Sequence, residues 1–121
     1  MNSIWINHKG KRIFYADYSG FGTDNLALHQ EVDEAVTAIS REPENSVLVL
    51  VNFENSDASM SNLSVMRKLV MRANPAVIKR ALLGLSGSRR FFITTFANVT
   101  GGTQIMAFDS REKALDWLVG G

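Results

Sequence analysis

The sequence predicts an α/β fold with a single mixed, mostly parallel sheet, an N-terminal antiparallel hairpin and the element order β-β-α-β-α-β-α-β-α. The first observation is the run Val47–Val51, which has no polar alternation and is typical of a strand buried on both faces of a parallel sheet. The second is that segments with helical spacing alternate with short apolar runs along the chain. The third is a glycine-containing turn, Asn7–Lys11, between two segments of period-two patterning.

The N-terminal hairpin is the first predicted unit. Gly10 can adopt the left-handed conformation that closes a short hairpin loop, so the two flanking strands are predicted to be antiparallel. One face of the hairpin carries the alternating residues Ile4, Ile6, Ile13 and Tyr15. Trp5 and Phe14 fall on the other face, so both faces present large apolar groups.

The first helix is predicted over about residues 24–40. Its apolar stripe recurs at helical spacing and consists of Leu28, Val32, Ala35, Val36 and Ile39. Asp24 or Asn25 is the candidate N-cap, and Pro43 ends the helix because proline disfavours helical geometry in the residue before it. The acidic residues predicted to lie away from the stripe are Glu31, Asp33 and Glu34.

Helices and strands are predicted to alternate through the second half of the chain. A second helix starts near Ser59, and its stripe is Leu63, Met66, Val70 and Ala73. Ala81–Leu83 is the next buried strand, bounded by Gly84. Ser88 can cap a third helix that ends at residues 101–102. The residues of that helix predicted to face inward are Phe92, Phe96 and Val99.

The last strand is predicted over residues 104–108, followed by the final helix. Residues 109–112 have the form of a capping box, in which the side chains of Asp109 and Glu112 satisfy each other's backbone amides. The stripe of this helix is Ala114, Leu115, Leu118 and Val119, with Trp117 beside it.

Composition narrows the class of protein. With 121 residues, 45% hydrophobic and 21% charged, the chain is predicted to form one domain, residues 1–121, of an ordinary globular protein. A net charge of +1 does not indicate a nucleic-acid partner. There is no cysteine, and neither His8 nor His29 has a second histidine at ligand spacing. No metal site and no cofactor are therefore predicted.

Targeting and membrane segments are not indicated either. The N-terminus has no basic region followed by a long apolar run, and no run approaches the roughly 18 apolar residues that span a bilayer. A cytoplasmic protein without an integral membrane segment is therefore predicted. The basic residues near the second helix are interpreted as solvated surface rather than as a nucleic-acid site. They are Arg67, Lys68, Arg72, Lys79 and Arg80.

The candidate binding residues lie in loops that follow strands. Because the carboxyl ends of parallel strands meet at one edge of a sheet, residues 17–22, 52–59, 84–88 and 109–110 are expected to lie together. The polar or glycine residues singled out there as binding or phospho-acceptor candidates are Ser56, Asp57, Ser59, Gly87 and Ser88. The alternative interpretation is structural: Ser59 caps the second helix and Asp57 favours its dipole.

Two segments carry a resemblance to a known family. Residues 74–87, NPAVIKRALLGLSG, and residues 108–118, FDSREKALDWL, resemble the stage II sporulation protein AA-like family of small STAS domains. The STAS superfamily includes sulfate-transporter tails and anti-sigma factor antagonists. The resemblance implies a STAS-like fold and a bacterial regulatory module.

The same resemblance bears on phosphorylation. Anti-sigma factor antagonists carry a D-S-[ST]-G-L motif after the central strand, and its first serine is phosphorylated. The matching residues here are Asp57–Met60, so Ala58 stands at the acceptor position and Met60 replaces the glycine. Ser56 and Ser59 are the neighbouring hydroxyls that can be phosphorylated instead.

Three functions are compared. The leading hypothesis is a non-enzymatic regulatory or binding module that contacts a protein partner at the carboxyl edge of the sheet. The second, implied by the likeness of STAS folds to CRAL-TRIO lipid-binding domains, is a carrier of a small apolar ligand in a pocket lined by Phe92 and Phe96 and closed near Tyr18. An enzyme ranks lowest, because the sequence offers no complete set of nucleophile, base and oxyanion donors. A homodimer formed through the edge strand of the hairpin is a further expectation.

Overall fold

The computed structural model describes residues 1–85 and 103–120. The first half consists of strands β1 (Ile4–His8) and β2 (Lys11–Asp17), helix α1 (Asn25–Ser40) and strand β3 (Val47–Asn52). The second half consists of helix α2 (Met60–Met71), a 3-10 turn (Asn74–Ala76), strands β4 (Val77–Leu83) and β5 (Gln104–Phe108), and helix α3 (Arg111–Val119). The helix predicted from Ser88, with its inward residues Phe92, Phe96 and Val99, lies outside the described residues.

The five strands form one sheet in the order β1-β2-β3-β4-β5. β1 is antiparallel to β2, with Trp5 opposite Phe14 and Ile6 opposite Ile13, whereas every later pair is parallel. This confirms the predicted mixed, mostly parallel sheet, its N-terminal hairpin and the central place of the Val47–Val51 run.

The sheet separates two apolar layers. Val49 and Val51 point into the layer beneath α1 and α2, whereas Leu48 and Leu50 point into the layer beneath α3. Since successive strand residues face opposite sides, a strand covered by helices on both sides must be apolar at every position. Burial of each such side chain contributes roughly 1.5–3 kcal/mol. The Val47–Val51 run shows no alternation of apolar and polar residues because helices cover both faces of the sheet at this strand.

The helix caps agree with the sequence in two cases and differ in one. The Asp24 side chain accepts a hydrogen bond from the backbone N–H of Ala27 at 3.2 Å, and Ser59 accepts one from Asn62 at 3.3 Å. In α3 the predicted cap Asp109 is wrong, because the N-cap is Ser110, whose hydroxyl accepts from the Lys113 N–H at 3.3 Å. Ser110 has the extended backbone, φ −128° and ψ 133°, that an N-cap requires.

Glu31 departs from the prediction that it would lie on the wet side of α1. The N-terminal segment crosses this side of the helix, so Glu31 is only 6% exposed. Its carboxylate accepts hydrogen bonds from the backbone N–H of Asn2 at 2.9 Å and of Ser3 at 3.0 Å, and from the Ser3 hydroxyl at 2.8 Å. A segment 28 residues earlier in the chain thus encloses a residue that the helical pattern places outside.

Candidate functional site

The strand exits meet at the carboxyl edge of the sheet, as the topology predicts. After β2, the backbone N–H of Gly20 donates to the Glu54 carbonyl at 2.9 Å and the N–H of Gly22 donates to the Asn55 carbonyl at 2.8 Å. After β3, the N–H of Phe53 donates to the Leu83 carbonyl at 2.9 Å. The exits of β2, β3 and β4 are therefore joined by backbone hydrogen bonds.

Asp57 fixes the loop of residues 53–59, called here the Asp57 loop. One carboxylate oxygen accepts from the Ser59 backbone N–H at 2.9 Å, and the other accepts from the Asn25 side-chain amide at 2.8 Å. The Asp57 carbonyl also accepts from the Asn62 amide at 2.7 Å. The carboxylate therefore connects the start of α1 to the start of α2.

A second set of hydrogen bonds joins α1 and α2, and the donor and acceptor of each can be assigned. The buried Asn62 donates through its nitrogen to Asp57, so its oxygen is the acceptor that faces His29. His29 Nε2 lies 2.7 Å from that oxygen and must therefore carry the donated proton. The Asp57 loop is held against α1 by side chains from both of its neighbouring helices.

The candidate serines differ in how much of their hydrogen-bonding capacity the fold uses. The Ser56 hydroxyl donates to the Tyr18 carbonyl at 2.6 Å and accepts from the Phe21 N–H at 3.2 Å. Ser59 is half-buried, caps α2 and lies 3.3 Å from the exposed Ser61 hydroxyl. The other candidates, Gly87 and Ser88, lie outside the described residues.

Two large apolar side chains are exposed beside the Asp57 loop. Leu26, in the first turn of α1, is 84% exposed, and Met60, the first residue of α2, is 52% exposed. Leu26 is three residues before His29 and therefore shares the side of α1 that faces α2. Neither residue was predicted to be a contact residue, because exposure of an apolar residue in a helix follows from tertiary packing.

A cavity of about 90 Å³ lies under α2, on the sheet face that α1 and α2 cover; it is called here the α2 cavity. Its apolar lining residues are Val51, Phe53, Leu63, Met66, Val70, Met71, Leu82, Leu85 and Ile105. Its polar lining residues are Tyr18, Arg67, Asn74 and Arg80. Tyr18 was predicted to line a pocket, whereas the predicted partners Phe92 and Phe96 lie outside the described residues.

The structure corrects the prediction for Arg80. This residue was predicted to be solvated surface, but it is buried at the cavity. It is 5% exposed and lies on the same side of β4 as Leu82, beneath α2. Its guanidinium donates to the Asn74 side-chain oxygen at 2.6 Å and to the Val70 carbonyl at 3.2 Å. Burial lowers the pKa of Arg80 to about 10. The sequence feature that could have predicted its burial is its period-two spacing from Leu82 in an apolar strand.

Tyr18 is the second buried polar group of the cavity. It is 2% exposed, and burial raises the pKa of its hydroxyl, while the positive charge of Arg80 opposes that rise. The described residues offer this hydroxyl no hydrogen-bond partner. Burial is thus the main cause of the pKa shifts of both Tyr18 and Arg80.

The described residues show neither a metal centre nor a membrane span. No cluster of three histidine, aspartate or glutamate side chains among residues 1–85 and 103–120 is arranged to hold a metal ion. Within the same residues, no helix has both the length and the apolar character needed to cross a bilayer.

Comparison with known proteins identifies the fold. No protein-family model and no curated protein matches the chain. Among solved structures, the chain is similar to an uncharacterised DUF3478-family protein from Shewanella loihica PV-4, described as having a SpoIIAA-like fold. The match has a TM-score of 0.64 at 17% identity and covers 96% of this chain and 91% of the other. The chain therefore has a SpoIIAA-like fold, the fold of STAS domains.

Proposed function

We propose that the protein is a non-enzymatic regulatory module of the STAS type, which binds a protein partner at the carboxyl edge of its sheet. The SpoIIAA-like fold supports the class of module. The contact surface comprises the Asp57 loop and the first turns of α1 and α2. In this proposal Asp57 positions the surface, and Ser59 and Met60 contact the partner.

The observation that carries the proposal is the exposure of Leu26 and Met60 beside a loop that is fixed by hydrogen bonds. Exposed apolar side chains on a preorganised backbone are the groups that bury area on association with little loss of conformational freedom. A partner with an apolar centre and hydrogen-bond donors or acceptors for Ser59 and Ser61 fits this surface.

Ser59 is the preferred position for regulation by phosphorylation. A phosphate would add a charge of roughly −1.5 to −2 at the N-terminus of α2, where the helix dipole favours negative charge. Ser56 is the weaker candidate, because its hydroxyl both donates and accepts hydrogen bonds inside the fold.

Affinity capture from an extract of the source cells, read by quantitative mass spectrometry, tests the contact surface. The double variant Leu26→Ser/Met60→Ser is expected to lose a protein that the wild type recovers. The control Met106→Ser changes a residue of edge strand β5 that is 47% exposed, and it is expected to keep that protein. Equal recovery by the wild type and the double variant would contradict the proposal.

Ser59→Asp tests the regulatory part separately. Aspartate is also a strong N-cap, so this change adds charge at the surface without removing the cap. We expect the captured partner, once purified, to bind this variant with altered affinity. Unchanged affinity would remove Ser59 as the regulated position and leave the contact surface in place.

A second candidate function is the carriage of a small apolar ligand, and the observation that favours it is the α2 cavity. Filling the cavity with Val70→Phe is expected to abolish binding of a small apolar probe such as pentan-1-ol, measured by ligand-detected NMR. Val65→Phe lies on the exposed side of the same helix and serves as the matched control. Equal probe binding by both variants would exclude the cavity as the carrier site.

A further inference from the structure

Charge is distributed unevenly along this chain. Residues 13–66 contain nine aspartate or glutamate residues and a single arginine or lysine, Arg41, although the whole chain carries 12 acidic and 13 basic residues. The rest of the chain therefore contains three carboxylates and twelve lysine or arginine residues. A surface built from the acidic segment attracts a partner of positive charge.

The acidic segment supplies the whole contact surface proposed above. The Asp57 loop and the first turns of α1 and α2 all fall within residues 13–66, whereas Arg41 lies at the C-terminal end of α1. Backbone hydrogen bonds from Gly20 to Glu54 and from Gly22 to Asn55 place residues 20–26 beside residues 54–60. Within the described chain, the contact surface and its cap Asp24 therefore bring together carboxylates without an arginine or lysine of their own.

Asp24 and Glu54 are the exposed carboxylates of this surface. Asp24 caps α1, and the backbone N–H of Glu54 donates to the Asn52 side chain at 3.1 Å. Neither carboxylate forms an ion pair with a described residue, whereas Asp33, further along α1, pairs with Arg72. The charges of Asp24 and Glu54 are therefore available to a partner.

The same surface has an apolar centre. Leu26 is 84% exposed and lies two residues after Asp24, and Met60 is 52% exposed at the end of the Asp57 loop. Apolar groups supply the area that is buried on association, and charges at the margin select the partner and increase its rate of encounter. The complementary ligand is a segment whose apolar side chains are flanked by lysine or arginine.

We propose that the contact surface binds a cationic amphipathic segment of its partner protein. The apolar side chains of the segment cover Leu26 and Met60, and its lysine or arginine side chains pair with Asp24 and Glu54. This inference rests on the proposed function, because it names the chemistry of the partner that binds at the same surface. Arg111 does not compete for these carboxylates, since it lies over the Tyr15 ring on the side of the sheet that α3 covers.

Two synthetic peptides test the charge of the partner. One consists of leucine and lysine at the spacing of an amphipathic helix, and in the other every lysine is replaced by glutamate. Fluorescence anisotropy measures the affinity of each labelled peptide for the full chain. We expect the wild type to bind the lysine peptide roughly tenfold more tightly or better, and added salt to weaken that binding because it screens exposed charges.

The double variant Asp24→Asn/Glu54→Gln tests the two carboxylates. Asparagine caps helices as well as aspartate does, so the start of α1 is retained. We expect the lysine peptide to bind this variant about three- to tenfold more weakly. The control Glu34→Gln/Glu44→Gln removes the same charge from exposed positions outside the contact surface, and its affinity is expected to change by less than about twofold.

Ser59→Asp provides an independent variant in which affinity is gained. It adds negative charge beside Met60 and keeps a competent cap for α2. The lysine peptide is expected to bind it about two- to threefold more tightly than the wild type. An unchanged or lower affinity would count against the cationic partner.

The outcomes separate this inference from the proposed function. Equal binding of the two peptides, no binding of either, or equal losses in the Asp24→Asn/Glu54→Gln variant and its control would overturn the cationic partner. Concentration-dependent dimerisation that Asp24→Asn/Glu54→Gln abolishes, measured by light scattering, would overturn it in favour of a second copy of this chain. The contact surface itself is judged by the capture experiment with Leu26→Ser/Met60→Ser, which makes no assumption about charge.

Discussion

Glu31 and Arg80 are both charged and more than nine-tenths buried, but their surroundings differ. Glu31 accepts three hydrogen bonds from the N-terminal segment, so its charge is compensated by donors that the fold supplies. Arg80 makes two hydrogen bonds to neutral acceptors and lines a cavity. Donors from the N-terminal segment therefore compensate the charge of Glu31, whereas the described residues give Arg80 only neutral acceptors.

Glu31→Gln is expected to lower the free energy of unfolding by about 2 kcal/mol, because the glutamine nitrogen would face the N–H donors of residues 2 and 3. Urea denaturation followed by circular dichroism measures this. Glu34→Gln is the matched control, since Glu34 is largely exposed and pairs at 3.7 Å with the N-terminal amine. The control is expected to change stability by less than about 0.5 kcal/mol. Equal effects of the two changes would contradict the structural role of Glu31.

Arg80→Met is expected to change the free energy of unfolding by less than about 1.5 kcal/mol, although Arg80 is buried. The lost hydrogen bonds to Asn74 and Val70 are offset by the desolvation that a methionine avoids. The same urea measurement applies. A loss above about 3 kcal/mol would indicate that the hydrogen bonds of Arg80 to Asn74 and Val70 hold the end of α2.

At the scale of elements, the loops after β3 and β4 approach each other closely at Gly84, directly after β4. Its φ is +88°, and a Cβ there would lie 2.5 Å from the Glu54 N and 2.8 Å from the Phe53 carbonyl carbon. The exits of β3 and β4 can therefore pack together only if this position has no side chain. The same packing sets the start of the Asp57 loop.

Gly84→Ala is expected to destabilise the fold by roughly 3 kcal/mol or more, because strain in the left-handed backbone is added to a clash with backbone that cannot move aside. Thermal unfolding and urea denaturation measure the loss. Gly20→Ala separates the backbone strain from the clash, since Gly20 has φ +77° and open space where its Cβ would lie. It is expected to cost only about 1–2 kcal/mol. Similar losses at both positions would mean that the close approach is unimportant.

At the scale of the whole molecule, ion pairs and hydrogen bonds join the N-terminal hairpin to α3. Asp116 of α3 lies 2.8 Å from His8 Nε2 and 2.9 Å from Lys9 Nζ in the hairpin turn. Lys11 donates to the Val119 carbonyl at 3.2 Å, and Lys79 donates to the carbonyls of Trp117 and Gly120, both at 2.9 Å. Cations at the C-terminal end of a helix are favoured by its dipole. The two ends of the chain are thus joined over the amino edge of the sheet.

The link through Asp116 predicts a pH dependence. Hydrogen bonds from His8 and then Lys9 lower the pKa of the Asp116 carboxyl below its ordinary value of 3.8. A carboxyl with a lowered folded-state pKa stabilises the fold above its unfolded-state pKa, and this contribution is lost as the pH falls through the folded-state value. Asp116→Asn is therefore expected to be less stable than the wild type at neutral pH, and the difference is expected to disappear as the pH falls through the lowered folded-state pKa.

Melting temperatures of the wild type and Asp116→Asn across pH 2–7, roughly the range in which carboxyl groups titrate, measure this difference. Glu44→Gln is the control, because it removes an exposed carboxylate from a loop. The control is expected to follow the wild type at every pH. A stability difference for Asp116→Asn that persists unchanged into acid would show that the link does not depend on the charge of Asp116.

Local chemistry was sufficient for much of the architecture. The unalternating run Val47–Val51 predicted the central strand, period-two spacing predicted the hairpin, and the predicted last strand coincides with β5. Ser59 was recognised as a cap because capping is decided within a few residues. The α3 cap was misplaced by one residue, since Asp109 and Ser110 are both competent caps and the end of β5 decides between them.

Tertiary structure alone decided which polar residues are enclosed. The period-two spacing of Arg80 from Leu82 indicates the side of β4 on which it lies, and it is buried because α2 lies over that side. Glu31 is buried because a segment 28 residues away crosses its helix face. The exposure of Leu26 and Met60 is likewise set by which elements stop short of them. Periodicity reports the side of an element on which a residue lies, whereas burial depends on distant parts of the chain that cover that side.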